Sequence, residues 1–188
     1  MLLRNRVPGI ESLPAATTKA HKDLSDSSID VLRWLSANRV DFVLVGPVAR
    51  VLHGEAGVKG PVTIVPAPYG RNLDRLTRAL WSSKARQLLP SDPTGDVSTG
   101  ATIPVKLSAE KLLGPEPLEL RCGNHDLYIE GRPVGVPRYQ ELLYEASRIK
   151  LTDELEIEVA ANHDIELYEH IRRTGSPEIT VTRAVRAA

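Results

Sequence analysis

The chain is poor in aromatic residues. Phe, Trp and Tyr together make up 4% of 188 residues, and Phe42 is the single phenylalanine. The core must therefore come from Leu, Val, Ile and Ala, and a protein that grips single-stranded nucleic acid by stacking successive bases on rings is disfavoured. Cysteine is equally scarce. With only Cys122, no intrachain disulfide can form. There is no apolar run long enough to span a membrane and no signal-like apolar region, which leads to the expectation of a cytoplasmic protein with no membrane partner. An excess of charge is missing too, since 24 Lys and Arg balance 24 Asp and Glu. The balance conceals an offset: residues 1–100 carry 13 basic against 9 acidic side chains, and residues 101–188 carry 11 against 15. Such an offset gives one region a weak preference for phosphate and falls short of the basic excess of a dedicated nucleic-acid binder.

What remains is ordinary globular material, with 41% hydrophobic and 26% charged residues. A length of 188 residues suits one domain with extensions. Residues 1–24, with Pro8, Gly9, Pro14 and Thr17-Thr18, lack sustained periodicity and read as an N-terminal arm. Residues 25–175 read as the domain, and 176–188 as a tail.

Within the domain, Ser27 followed by Asp30 is an acidic variant of a helix start, and Ile29, Leu32 and Leu35 share a face, giving a helix from about Ser28 to Asn38. Val40 to Val45 is an apolar, β-branched stretch ending at Gly46, the signature of a buried strand entering a tight turn. A short helix over Val48 to His53, a strand over Val62 to Val65 and a helix over Asn72 to Ser83 follow. Residues 90–100 are loop chemistry and read as a mobile hinge. Leu118 to Cys122 and His125 to Ile129 alternate around Gly123-Asn124 as a two-residue hairpin would. A helix over Tyr139 to Ser147, a strand over Leu155 to Ala160 and a helix over Asp164 to Arg172, stopped by Gly175, complete an α/β chain of α+β character: a mixed central sheet flanked by helices.

Several residue groups invite chemistry. Arg71, Arg75 and Arg78 recur at helical spacing and could meet phosphate, although such a stripe is commonly a solvated face. His53-Gly54 reads either as a substrate contact or as a helix end with a glycine after it. Cys122, His125, His163 and His170 lack the spacing of a structural zinc site. Gly46 stands without the other glycines of a dinucleotide-binding loop.

Residues 40–80 resemble the minimal nucleotidyltransferase superfamily, in particular its stand-alone members related to toxin–antitoxin and abortive-infection systems. The likeness rests on the strand Val40-Asp41-Phe42-Val43-Leu44-Val45, the turn at Gly46, the helix with Ala49 ending in His53-Gly54, the strand Val62–Val65, and Asn72-Leu73 with Leu76 and Ala79-Leu80 beyond it. The resemblance implies a nucleotidyltransferase-like fold and, for an active member, two aspartates alternating on the second strand. A third carboxylate from a neighbouring strand joins them in holding Mg²⁺ against nucleotide phosphates.

At the paired positions this chain has Pro61 and Thr63. Asp126, in Gly123-Asn124-His125-Asp126-Leu127, matches the third carboxylate. Gly46 is followed by Pro47, which has no amide hydrogen for a phosphate. Glu169 stands where the resemblance implies a lysine on a later helix. These departures imply a catalytically degenerate member with no cofactor, which works by binding a protein or nucleic-acid partner, homo-oligomerisation being open; Gly46, His53, Arg71, Arg75 and Arg78 are then the candidate contacts. The alternative is an active nucleotidyltransferase, moving a nucleotide from an NTP to RNA or protein, whose Mg²⁺ is held by Asp126, Thr63 and a carboxylate such as Asp41 or Glu55. A third reading, an unrelated α/β domain with coincidental motif order, is distinguished by where the strand Val62–Val65 lies relative to Val40–Val45.

Overall fold

A computed structural model of the chain describes residue 10 and residues 23–89 and 100–175. Among the described residues six helices and eight strands follow one another as α1 (Asp26–Ala37), β1 (Phe42–Val45), α2 (Gly46–Leu52), β2 (Val62–Pro66), α3 (Gly70–Ser82), β3 (Arg86–Leu88), β4 (Thr102–Pro104), α4 (Ala109–Leu112), β5 (Leu118–Cys122), β6 (His125–Ile129), α5 (Tyr139–Glu145), β7 (Ser147–Thr152), β8 (Leu155–Val159) and α6 (Asn162–Thr174). The strands form one mixed sheet in the order β4-β3-β5-β6-β2-β1-β8-β7. The fold is thus α+β, as the pattern of elements predicts. Among the described residues no helix is long and apolar enough to cross a membrane.

Hydrophobic patterning explains which strands are central. β1 and β2 are apolar without alternation and are buried on both faces, so they occupy the middle of the sheet, paired antiparallel with Val45 opposite Thr63 and Phe42 opposite Pro66. β5 and β6 alternate, and their burial alternates with them, as expected of strands with one face on the core and one toward solvent. Their hairpin has the predicted two-residue turn, with Cys122 opposite His125 and Gly123 at φ +61°. Cross-strand partners point to the same face. Leu118, Leu120, Cys122, Leu127 and Ile129 are accordingly buried together, while Glu119, Arg121, Asp126 and Tyr128 look the other way. α1 covers the first of these faces, where Ser27 Oγ lies 2.8 Å from His125 Nδ1. α2 and α6 lie on the second, tied by Arg50 to Glu169 and by Arg172 to Glu130.

The differences from expectation are local. α1 is capped by Ser25, whose Oγ accepts from the Ser28 amide at 3.1 Å, and it starts at Asp26, two residues before the sequence reading, because Ser25 rather than Ser27 takes the extended capping geometry. α2 begins at Gly46 with Pro47 in its first turn, where a missing amide costs nothing. The predicted helix ending at Ser147 stops at Glu145, and Ser147–Thr152 becomes the edge strand β7 paired to β8. β3, β4 and α4 had no counterpart in the sequence reading. The first two have only three residues each and are read as strands only once they pair with each other and with β5. Gly175 ends α6 at φ +70°, as predicted. The proposed hinge, apart from Gly100, lies outside the described residues, as do nearly all of the arm and the tail beyond Gly175.

Candidate functional site

The turn Val45-Gly46-Pro47 places the start of α2 over β2. Gly46 has φ +69°, and a β-carbon there would lie 3.0 Å from both Cβ and Oγ1 of Thr63. Glycine is required on two counts, the left-handed backbone and the close approach. Thr63 is 1% exposed beneath this turn, and its hydroxyl reaches only the Pro61 carbonyl, at 3.5 Å. Thr63 therefore serves as packing between strand and turn.

The neighbouring strand supplies the carboxylate. β2 and β6 run parallel with Val62 beside Leu127 and Thr63 beside Tyr128, so continuing the register by one residue brings Asp126 beside Pro61. A carboxylate on the neighbouring strand thus lies adjacent to Pro61. Asp126 is nevertheless engaged. Arg121, directly opposite it in the hairpin, donates from Nε to Oδ1 at 2.7 Å and from Nη2 to Oδ2 at 3.0 Å. Both oxygens are occupied by one planar guanidinium, a bidentate geometry stronger than an ordinary surface contact. The Asp126 bond is also the leading reason that the Arg121 guanidinium is held above its ordinary pKa.

The rest of this face is polar and internally paired. Tyr128 faces Glu119, and burial first, then the Glu119 charge and hydrogen bond, raise its phenol above the ordinary value. Glu130, 6% exposed, is bonded to Arg172 of α6. Its carboxyl is raised by burial, with the Arg172 charge and hydrogen bond acting in the opposite direction. Among the described residues no three His, Cys, Asp or Glu side chains converge as metal ligands. A Mg²⁺ site of the implied kind needs several shared oxygen donors, and a proline, a buried threonine and an aspartate gripped by arginine do not fit one.

The other candidates are dispersed. Asp41 lies at the opposite end of β1, where its carbonyl accepts from the Ala67 amide at 2.9 Å. Ala67 lies six positions along the strand direction from Pro61, about 20 Å at ~3.3 Å per residue, so Asp41 is not a partner for Asp126. Glu55, the other alternative ligand, is held with Glu169 by Arg50, which donates to Glu55 at 2.6 Å through both Nε and Nη2 and to Glu169 at 3.0 and 2.9 Å through Nη1. Of the two extra carboxylates in the alternative ligand set, Asp41 thus lies at the far end of the sheet and Glu55 is engaged by Arg50. Arg50 balances the acidic Glu169 found where the resemblance implies a lysine.

His53 closes α2 and lies 2.7 Å, through Nε2, from the Ala160 carbonyl. A carbonyl only accepts, so Nε2 carries the hydrogen and the imidazole ties α2 to the end of β8. Arg75 donates to the Arg39 carbonyl at 2.6 Å and reaches Asp41 at 3.4 Å, at the far end of the sheet. Arg78 donates to the Asp74 carbonyl of its own helix, and Arg71 is exposed in the first turn of α3. The three arginines do not converge on Asp126. Cys122 is buried, His125 faces Ser27 and His163 lies by Glu145, so the imagined zinc ligands do not meet either.

Arg121, Glu119, Glu130, Arg172 and Arg50 were not singled out from the sequence. One signal was available for Arg121: a two-residue turn at Gly123-Asn124 places it opposite Asp126 without further information. The Glu130 and Arg50 pairs join residues 42 and 119 positions apart and have no local signal. The sequence matches no protein-family model, and no curated protein matches it significantly.

Proposed function

We propose that the chain is a catalytically degenerate protein of nucleotidyltransferase-like fold that acts by binding a protein or nucleic-acid partner. The relation of the strands supports the likeness. β2 pairs directly with β1, the glycine turn packs on β2, and β6 lies beside β2 with its aspartate next to the two substituted positions. Fold alone does not carry function, so the argument rests on the site. The observation that carries it is the two-point hold of Arg121 on Asp126, beside a Thr63 that is sealed under Gly46. An anionic cluster able to collect a divalent cation is replaced here by a neutral, self-satisfied ion pair, which favours a structural over a metal-binding role for this face.

The test is calorimetric titration of the full chain with ATP, GTP, CTP and UTP, each with and without Mg²⁺ or Mn²⁺. The expected result is no metal-dependent heat from the native chain. Metal-dependent binding, or transfer of labelled nucleotide, overturns the reading. A rebuilt chain carrying Pro61→Asp with Arg121→Ala restores two carboxylates on neighbouring strands while leaving buried Thr63 intact. Metal-dependent binding gained by that variant supports an inherited site that has lost its ligands.

A further inference from the structure

Away from this face, a groove of about 1090 Å³ runs between the last turn of α3 and the segment that follows β4. Its floor is aliphatic, formed by Leu80, Ala85, Val105 and Leu107. Trp81 stands on its rim with 83% of its surface exposed. An indole left in solvent beside an aliphatic trough is costly for a lone monomer and is characteristic of contact surfaces. The rim is also charged in one sense. Among the described residues Arg78, Lys84, Arg86 and Lys106 border the groove and no acidic residue does, in a chain whose net charge is zero. Neither Lys84 nor Lys106 forms an ion pair among the described residues.

We propose that this groove docks an acidic amphipathic segment of a partner protein, apolar side chains entering the trough beside Trp81 and carboxylates meeting the four-cation rim. The inference rests on the reading of the chain as a binding protein and names the kind of partner. Charge complementarity selects the occupant. A single-stranded nucleic acid calls for several stacking rings along a basic track, and among the described residues Trp81 is the only aromatic one lining this groove. Ile10, from the chain's own N-terminal stretch, is seated beside this end of α3 with its amide donating to Ser83 Oγ at 3.5 Å, but stretches 1–22 and 176–188 each carry more basic than acidic residues, the charge that a cationic rim does not select. Pairing to a second copy through the sheet edge is blunted, because the edge strand β4 has three residues and ends in Pro104, which has no amide to donate.

The experiment is selection of random peptides displayed on phage against the immobilised full chain, followed by titration of the enriched peptides, made synthetically, by fluorescence anisotropy. The enriched sequences are expected to combine Asp or Glu with large apolar residues. Binding is expected to weaken about 10-fold or more in Trp81→Ala and in the Lys84→Glu, Lys106→Glu double variant, and several-fold when salt is raised from 0.05 to 0.5 M, as screening shortens the reach of the rim charges. Circular dichroism confirms that the variants fold, and Lys106→Gln serves as a milder variant expected to lose less.

Failure to enrich any peptide, enrichment of neutral or basic ones, or equal binding by native and Trp81→Ala chains overturns the proposal. So does tight binding of a 20-mer oligothymidylate that depends on Trp81, or self-association abolished by Trp81→Ala. These failures are separable from failure of the functional reading, which shows itself as metal-dependent nucleotide heat that Trp81→Ala leaves unchanged.

Discussion

Asn72 is 1% exposed, and every polar atom of its carboxamide is used. Its Oδ1 accepts from the Asp41 amide at 2.7 Å, and its Nδ2 donates to the Asp41 carbonyl at 2.8 Å and to the Ala67 carbonyl at 3.0 Å. One side chain near the start of α3 thus ties together the residue before β1 and the residue after β2. In Asn72→Ala the Asp41 carbonyl keeps its bond from the Ala67 amide, but the Asp41 amide and the fully buried Ala67 carbonyl lose their partners. A buried orphan costs about 1–3 kcal/mol. Counting Ala67 near the upper part of that range and the more exposed Asp41 near the bottom gives a loss of roughly 2–4 kcal/mol. For a chain of this length that lowers Tm by about 5–15 °C. Urea unfolding followed by circular dichroism and by fluorescence of the buried Trp34 measures it. Asn72→Asp keeps the acceptor but sets a carboxylate against two carbonyls, so its loss is expected to be larger at pH 7 than at pH 4, where a protonated acid can donate. An Asn72→Ala loss below about 0.5 kcal/mol, or an Asn72→Asp loss independent of pH, refutes the reasoning.

Gly46→Ala combines the left-handed backbone with the 3.0 Å approach to Thr63 and is expected to cost about 2 kcal/mol in denaturant unfolding. Adding Thr63→Ala removes the Oγ1 contact while leaving the approach to Cβ and the backbone part, so it recovers a fraction of the loss, and full additivity of the two changes refutes the Oγ1 contact. Cys122 is fully buried and its thiol is pushed up to about 12, chiefly by desolvation. Alkylation by iodoacetamide at pH 8 should therefore follow the rate of unfolding, and fast labelling of the native chain contradicts its burial. Burial raises the Glu130 carboxyl above its unfolded value, so its protonated form favours the folded state. The stability of the native chain relative to Glu130→Gln is then greatest at about pH 4 and declines as pH rises through the folded pKa; a difference that grows with pH instead shows that the Arg172 bond outweighs desolvation.

The sequence by itself determined the elements whose signal is local. The apolar stretch at Val40–Val45 specified a buried strand, because a strand covered on both faces tolerates such a run, and the β-branched Val62–Val65 between prolines specified a second strand. Alternation around Gly123-Asn124 specified the hairpin and, through its turn length, the register that sets Arg121 against Asp126. The three-residue strands β3 and β4 are too short to show periodicity, whereas β7 alternates, with Ile149 and Leu151 set between Arg148, Lys150 and Thr152, a signal that the longer helix reading absorbed only at its first residue. They exist because backbone donors and acceptors at the end of a sheet find partners there. The site follows the same division. That Pro61 and Thr63 offer no carboxylate and that Asp126 does is visible in the chain. Only the tertiary structure decided that Asp41 lies at the other end of the sheet, that Arg50 gathers Glu55 and Glu169, and that Trp81 with four cations borders one groove. Those outcomes depend on long-range strand order and helix placement, which bring together residues whose separation along the chain leaves no periodic trace.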